Sequence, residues 1–384
     1  MELGSQIGYN VAVNDVWGWD DGNGNEFAIV GLRDGVSIVN VTDPYNAYEV
    51  ERIFGINSNW RDIKSWKDHV YVSNESGDGI TVIDMSQLPS SAPSFQWEPT
   101  IPGLGTLSEA HNLYVDENGV LHVSGSNLNS GGAIFVDVDT DPVNPEVIGW
   151  GVPIYNHDLY ARGDTLYASE IREGDFAIYD ISDKNNVIPL ARQQTPFNFT
   201  HNAWLSDNSK VLFTTDERGN APVAAYDISD LDNITLLDEY RPLTSLGTST
   251  VPHNVHTWND YLIISYYTDG GRVVDASRPT NLIEVGNFDS FFGGDGGFSG
   301  VWGAFPFLPS RTVLLSDRGN GLVVTVPTYK RACWLEGTVT EKGSGLPLQG
   351  VSVEINSTQA NMASTANDGT YETGQVLDLS LIHI

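Results

Sequence analysis

His157-Asp158-Leu159-Tyr160, then a polar turn, then Phe176-Ala177-Ile178-Tyr179 and the acidic turn Ser182-Asp183, make up one unit of the pattern that decides the fold. The opening tetrad returns as Asn14-Asp15-Val16-Trp17, Arg61-Asp62-Ile63-Lys64, His111-Asn112-Leu113-Tyr114, His201-Asn202-Ala203-Trp204, His253-Asn254-Val255-His256 and Ser299-Gly300-Val301-Trp302. Its second residue falls at 15, 62, 112, 158, 202, 254 and 300, so seven units follow one another at spacings of 44 to 52 residues. Inside the units, alternating apolar strands such as Phe27-Ala28-Ile29-Val30 and Val70-Tyr71-Val72 lead through Gly-rich turns to second strands such as Val36-Ser37-Ile38-Val39 and Ile80-Thr81-Val82-Ile83. Acidic turns such as Thr42-Asp43-Pro44 and Thr140-Asp141-Pro142 follow, and Glu146-Val147-Ile148-Gly149 or Ile283-Glu284-Val285-Gly286 closes a unit. Four short antiparallel strands per ~45 residues, with no helical period between them, predict an all-β chain whose units are the blades of a seven-bladed β-propeller.

The last unit, from Gly300 to Val326, supplies three strands and lacks a fourth. Glu2-Leu3-Gly4-Ser5 resembles the fourth-strand pattern Glu284-Val285-Gly286, so the N-terminal strand is expected to complete blade seven and remove an open sheet edge. The ring is then residues 1–331, with Met1 close to the domain start. Gly337-Thr338-Val339, Gly345 to Ile355 and Asn367-Asp368-Gly369-Thr370-Tyr371 read as strands and turns of a small, incomplete β-sandwich over 332–378. Residues 379–384 break off in mid-pattern and read as a non-native tail, so the chain is taken as a fragment.

Nineteen basic against 50 acidic residues leave a net charge of −31, which argues against nucleic acid or an anionic membrane as the main partner. An apolar fraction of 40% with ten Trp is too high for a disordered acidic chain. The single cysteine, Cys333, excludes an internal disulfide framework and a Cys-rich metal site. No apolar run approaches the ~20 residues of a transmembrane helix, and no signal peptide is visible at the start. A monomer is expected.

The segment 35–44 (Gly-Val-Ser-Ile-Val-Asn-Val-Thr-Asp-Pro), with Trp60-Arg61-Asp62-Ile63-Lys64, Ala110-His111-Asn112 and Asn14-Asp15-Val16-Trp17-Gly18-Trp19, resembles the choice-of-anchor B proteins and their LVIVD-type propeller repeats over about residues 1–327. The tail from Gly337 to Tyr371 is similar to carboxypeptidase regulatory-like domains. These resemblances imply a secreted bacterial protein at the cell surface, held by a C-terminal anchor that lies outside this sequence. They bring no established activity with them.

Four histidines, His111, His157, His201 and His253, share one register in four consecutive blades. Because innermost strands line a propeller's channel, they are expected to ring one mouth of it, where neutral imidazoles could bind a transition metal. The plainer reading is that each hydrogen-bonds neighbouring backbone or channel water. Arg61, Asn14 and Ser299 fill the register elsewhere, and a cationic Arg61 would oppose a bound cation. The turns between second and third strands should lie on the same face. They add Arg33, Asp34, Glu75, Asp78, Asn127, Asn129, Glu170, Arg172, Asp216, Glu217, Asp269, Asp317 and Arg318 as possible ligand contacts beside Arg61, Asp62 and Asp158, against the alternative of ordinary solvated turns. The strings Asp20-Asp21-Gly22-Asn23-Gly24-Asn25-Glu26 and Asp137/Asp139/Asp141 are oxygen-rich, but neither has EF-hand spacing, so calcium is the weaker expectation. Trp17, Trp19, Trp60, Trp204 and Trp302 are expected to pack the blades rather than stack on sugars.

The function expected is a binding or scaffold module that recognises an extracellular glycan, peptide or surface protein at the channel mouth. The rival is a metal-dependent oxidoreductase or lyase with the four histidines as ligands and Asp158 or Glu109 as base or supporting residue. A third reading is a spacer holding the tail away from the cell wall.

Overall fold

The computed structural model describes residues 1–356 and 361–377. The proposed non-native tail, 379–384, lies outside the described residues. Seven four-stranded antiparallel sheets form the ring. Blade one is Val13–Asp20, Glu26–Leu32, Gly35–Asn40 and Tyr48–Phe54. Blades two to six begin at Ile63, Asn112, Asp158, Thr200 and Val255, each pairing its four strands in sequence order.

Blade strands read as nearly continuous apolar runs because both faces are covered by neighbouring blades. In Glu26–Leu32, Phe27 and Ile29 pack toward blade two against Ile63, Val70, Val72 and Ile83. Ala28 and Val30, one residue out of phase, pack toward blade seven against Phe305, Leu314, Leu322 and Val324. Period-two alternation therefore sorts one strand's side chains into two inter-blade cores.

Blade seven has the strand order Glu2–Ile7, Gly321–Val326, Val313–Asp317, Val301–Phe305, as the sequence predicts. The N-terminal strand pairs Glu2 with Val326 and Ile7 with Leu322, across a bulge between Leu3 and Ser5. Gly321 opens the partner strand at φ +96°, and a Cβ there would sit 2.0 Å from the Ile7 carbonyl oxygen. Only glycine tolerates both the backbone conformation and that approach.

After the ring, Ala332–Thr338 pairs with Thr370–Val376, and Ser352–Glu354 pairs with Met362–Ser364. These two-stranded sheets are compatible with the incomplete sandwich expected. The unit docks on blade six: Asp275 accepts from Arg331 (3.1 Å) and from the Ala332 amide (2.9 Å), and Trp334 Nε1 donates to the Asn281 carbonyl (3.0 Å). Ile283, Ala332, Trp334 and Val376 share one apolar cluster. No helix among the described residues is long and apolar enough to cross a membrane.

Candidate functional site

The first strand of every blade runs along the channel, so residues two apart in the repeat stack as successive layers on its wall. The innermost layer on one side is aromatic. Tyr114, Tyr160, Trp204 and His256 meet with ring centroids 4.8, 4.5 and 4.6 Å apart in turn, and Phe307 stacks on Trp204 at 5.8 Å. Burial, with Lys64 a lesser cause, brings His256 down to about 3, so it packs as a neutral ring. Of the five tryptophans singled out in the sequence, Trp19, Trp204 and Trp302 are buried and Trp17 packs in the aromatic layer, whereas Trp60 is 40% exposed at the histidine end.

Above the aromatics lies a buried polar layer of Asp15, Asp62, Asn112, Asp158, Asn202 and Asn254. It ties the blades together: Asp62 Oδ2 accepts from the Leu113 amide (2.8 Å), Asn202 Oδ1 from the Val255 amide (2.9 Å), and Asp158 Oδ2 from Asn202 Nδ2 (2.8 Å). Lys64 reaches up into this layer from the aromatic one. Its Nζ donates to both Asp62 oxygens at 2.8 and 2.9 Å and lies 4.4 Å from the Trp17 ring centre. Burial alone would lower the Lys64 pKa, but Asp62 and Asp15 together raise it. One ammonium serves three carboxylates, and the other two respond. Burial, then Asp62, pushes Asp15 well above the usual carboxylate range, and the same two causes bring Asp158 to about 7.

That shift has a sign. The unfolded Asp158 releases its proton near pH 4, the native one near 7, so the stability it contributes is complete below pH 4 and lost as pH rises through 7. Asp158→Asn keeps an acceptor for Asn202 without the ionisation. The variant should match the parent in urea unfolding at pH 4 and exceed it by about 1–3 kcal/mol at pH 8. A constant difference across that range would show that Asp158 does not titrate there.

The four register histidines form an arc at the mouth, as expected, with centroids 4.1 Å (His111–His157), 4.4 Å (His157–His201) and 4.3 Å (His201–His253) apart. Burial, reinforced by neighbouring imidazoles, pushes His157 and His253 well down, and burial pushes His201 down. All three are neutral at pH 7. With Trp60, Arg61, Asp62, Asp158 and Trp302 they line a cavity of about 20 Å³, room for about one water. Oδ1 of Asn14, Asn112 and Asn254 are buried without a hydrogen-bond partner.

The arc is not one symmetric ligand set. His111 Nδ1 pairs with Glu75 Oε1 at 2.6 Å. His201, His253 and Glu217 place one potential ligand atom each within 4.8 Å of one another, the one such group of His, Cys, Asp and Glu among the described residues. Neither His111 nor His157 belongs to it. Arg61, which lines the same cavity, donates to the carbonyls of Leu32 and Ile56.

The other predicted contacts divide by position. Glu170, Asp216, Asp269 and Asp317 sit at or just past the ends of second strands, and all four are buried. Glu170 accepts from Tyr179 and Arg192. Asp216 accepts from Thr195 Oγ1 (2.5 Å) and the Phe197 amide (2.7 Å), Asp269 from Ser245 Oγ (2.5 Å), and Asp317 from Ser290 Oγ (2.6 Å). They hold the mouth loops in shape. Arg318 donates to the Phe298 carbonyl (2.8 Å) and stacks over Trp302. The two calcium-like strings are self-bonded turns: Asp21 accepts from the Asn23 and Asn25 amides, and Asp137 from those of Asp139 and Thr140. Sequence reading overlooked Lys64, although its place two residues beyond Asp62 puts it on the channel wall. It also overlooked the exposed Phe292 and Phe298, whose signal was a Gly-rich segment punctuated by phenylalanine.

No family model and no curated protein matches this chain. Solved propellers do. It is similar to the Cps50 (Swd1) β-propeller domain of Myceliophteria thermophila at 11% identity and TM-score 0.58, over 84% of this chain and 99% of that one. It is also similar to the RRP9 WD40 repeats (10%, 0.60, 84% and 98%). A putative 6-phosphogluconolactonase from Bacteroides uniformis matches at 13% and 0.55, over 73% and 86%. At such identities the likeness establishes the propeller fold and no more.

Proposed function

We propose that this chain is an exported cell-surface binding module that docks a protein partner on the face carrying the histidine arc. The observation that carries the reading is the set of apolar side chains the mouth connections leave in solvent. Phe292 is 94% exposed and Phe298 52% exposed on the Gly-rich connection into blade seven, Trp60 stands beside the cavity, and Ile56, Phe197 and Leu246 project from other connections into innermost strands. Exposed aromatics on loops carried by a rigid ring favour a binding face. Aliphatic groups among them suit a protein surface better than a glycan, which needs aromatic platforms interleaved with free polar groups. The buried carboxylates beneath, tied into the loops, support a preformed surface. The resemblance to choice-of-anchor B proteins and the strongly acidic composition support a place outside the cell.

The test is a screen of the full chain against surface-protein and glycan panels, repeated with the triple variant Trp60→Ser/Phe292→Ser/Phe298→Ser. These side chains are exposed, so the melting temperature should stay within about 2 °C, while affinity for a protein partner should fall at least ~10-fold. Leu190→Ser, on an outermost strand, should leave binding unchanged. A glycan ligand indifferent to the triple variant would overturn the reading. The rival, a metal-dependent enzyme, is favoured by one observation, the His201–His253–Glu217 group.

A further inference from the structure

We propose that His201, His253 and Glu217 form a binding site for one divalent transition ion of the zinc type at the edge of the channel mouth. The donor set is two neutral imidazoles and one carboxylate, a combination that suits zinc and leaves a fourth position for water. The inference does not depend on the identity of any docked partner.

Three observations carry it. The first is convergence: the three side chains come from different blades or turns, yet their ligand atoms lie within 4.8 Å of one another, and His253 Nε2 stands 4.0 Å from Glu217 Oε1. Two bonds of zinc length at a tetrahedral angle place ligand atoms about 3.4 Å apart, so this pair closes by roughly half an ångström on binding. The second is the support behind the ligands. His201 Nδ1 lies 3.1 Å from the His253 carbonyl oxygen, an acceptor that puts the ring proton on Nδ1 and leaves Nε2 with its lone pair for a metal. Tyr267 donates to Glu217 Oε1 at 2.6 Å and orients the carboxylate. Thr215 Oγ1 donates to the same His253 carbonyl and braces the link between the two imidazoles. The third is the unmet polarity of the site. Oδ1 of Asn254, the residue after His253, and Oδ1 of Asn112 line the same small cavity and are buried without a hydrogen-bond partner. A wall that only packed against its neighbours would not leave these oxygens unsatisfied.

Of the nearby cations, Arg61 is held on the carbonyls of Leu32 and Ile56, and Arg318, whose charge reaches His253, is held on the Phe298 carbonyl over the Trp302 ring.

The experiment is metal titration of the full chain. After treatment with a chelator and dialysis, Zn²⁺ is added and bound metal is measured by elemental analysis and competition with a chromogenic chelator. Co²⁺ is used in parallel for its visible absorption. One Zn²⁺ per chain is expected for the parent and for His69→Gln, a histidine on the second strand of blade two. Glu217→Gln keeps an acceptor for Tyr267 at a partly exposed edge, so it should fold normally, and its Zn²⁺ affinity should fall by about 10–100-fold with loss of the Co²⁺ spectrum. His201→Gln should behave alike. Substoichiometric Zn²⁺ in the parent, or binding unchanged in Glu217→Gln, would overturn the assignment. So would a Zn²⁺ site abolished by His111→Gln but insensitive to Glu217→Gln. Loss of metal with partner docking intact, or the reverse, separates this site from the docking face.

Discussion

Removing residues 1–8 should open the ring, lower the melting temperature by ~10 °C or more and turn the protein into a self-associating species. The N-terminal strand is the outer strand of blade seven, and its pairs from Glu2↔Val326 to Ile7↔Leu322 hold the two ends of the ring together. It also ties to its neighbours: the Met1 amino group donates to the Asn287 carbonyl (3.0 Å) and Ser5 Oγ to that of Pro44 (2.7 Å). Losing a ladder of backbone hydrogen bonds at about 1 kcal/mol net each, together with the packing of Ile7, comes to on the order of 5 kcal/mol. The deletion exposes Gly321-Leu322-Val323-Val324-Thr325-Val326 as an uncovered, uncharged edge, the kind of strand that pairs with a second chain. Circular dichroism melts and size-exclusion chromatography read both consequences. A monomer melting within a few degrees of the parent would mean that the blade interfaces alone hold the ring shut.

Lys64→Met is the second large effect. The ammonium is the cation paired with Asp62, and its removal leaves Asp62 buried without that counter-charge beside Asp15 and Asp158. Breaking a buried pair by deleting one partner costs about 3–5 kcal/mol. The loss depends on pH with a defined sign. Asp15 and Asp158 already have raised pKa values, and without Lys64 these two bind protons still more readily in the native state than in the unfolded one. The variant should therefore be weakest at pH 8 and recover as pH falls toward 5. The double variant Lys64→Met/Asp62→Asn should regain most of the loss at pH 8, because the amide still accepts from the Leu113 amide while the unpaired charge is gone. Urea unfolding at the two pH values measures both effects. A loss independent of pH would point to packing against Trp17 rather than to charge.

Blade number, strand order and ring closure were legible in the sequence because each follows from short-range patterns. Seven copies of the Asn/Arg/His/Ser-Asp/Asn/Gly register count the blades, apolar alternation marks the strands, and the likeness of Glu2-Leu3-Gly4 to Glu284-Val285-Gly286 locates the missing strand. A shared register also implied that the four histidines meet at one mouth, since equivalent positions of a closed ring converge on its axis. The direction taken by loop side chains was not legible. Glu170, Asp216 and Asp317 are exposed turn residues by composition, yet each turns inward because buried Tyr, Thr and Ser hydroxyls and loop amides in adjoining segments need an acceptor there. Glu217, one residue beyond Asp216, points instead to His201 and His253. Period two separates neighbours within a strand, but it does not say which carboxylate past the strand's end will meet partners from the next blade. That choice belongs to the tertiary structure, because it depends on which donors segments some 36 to 50 residues apart bring to the same side of the channel.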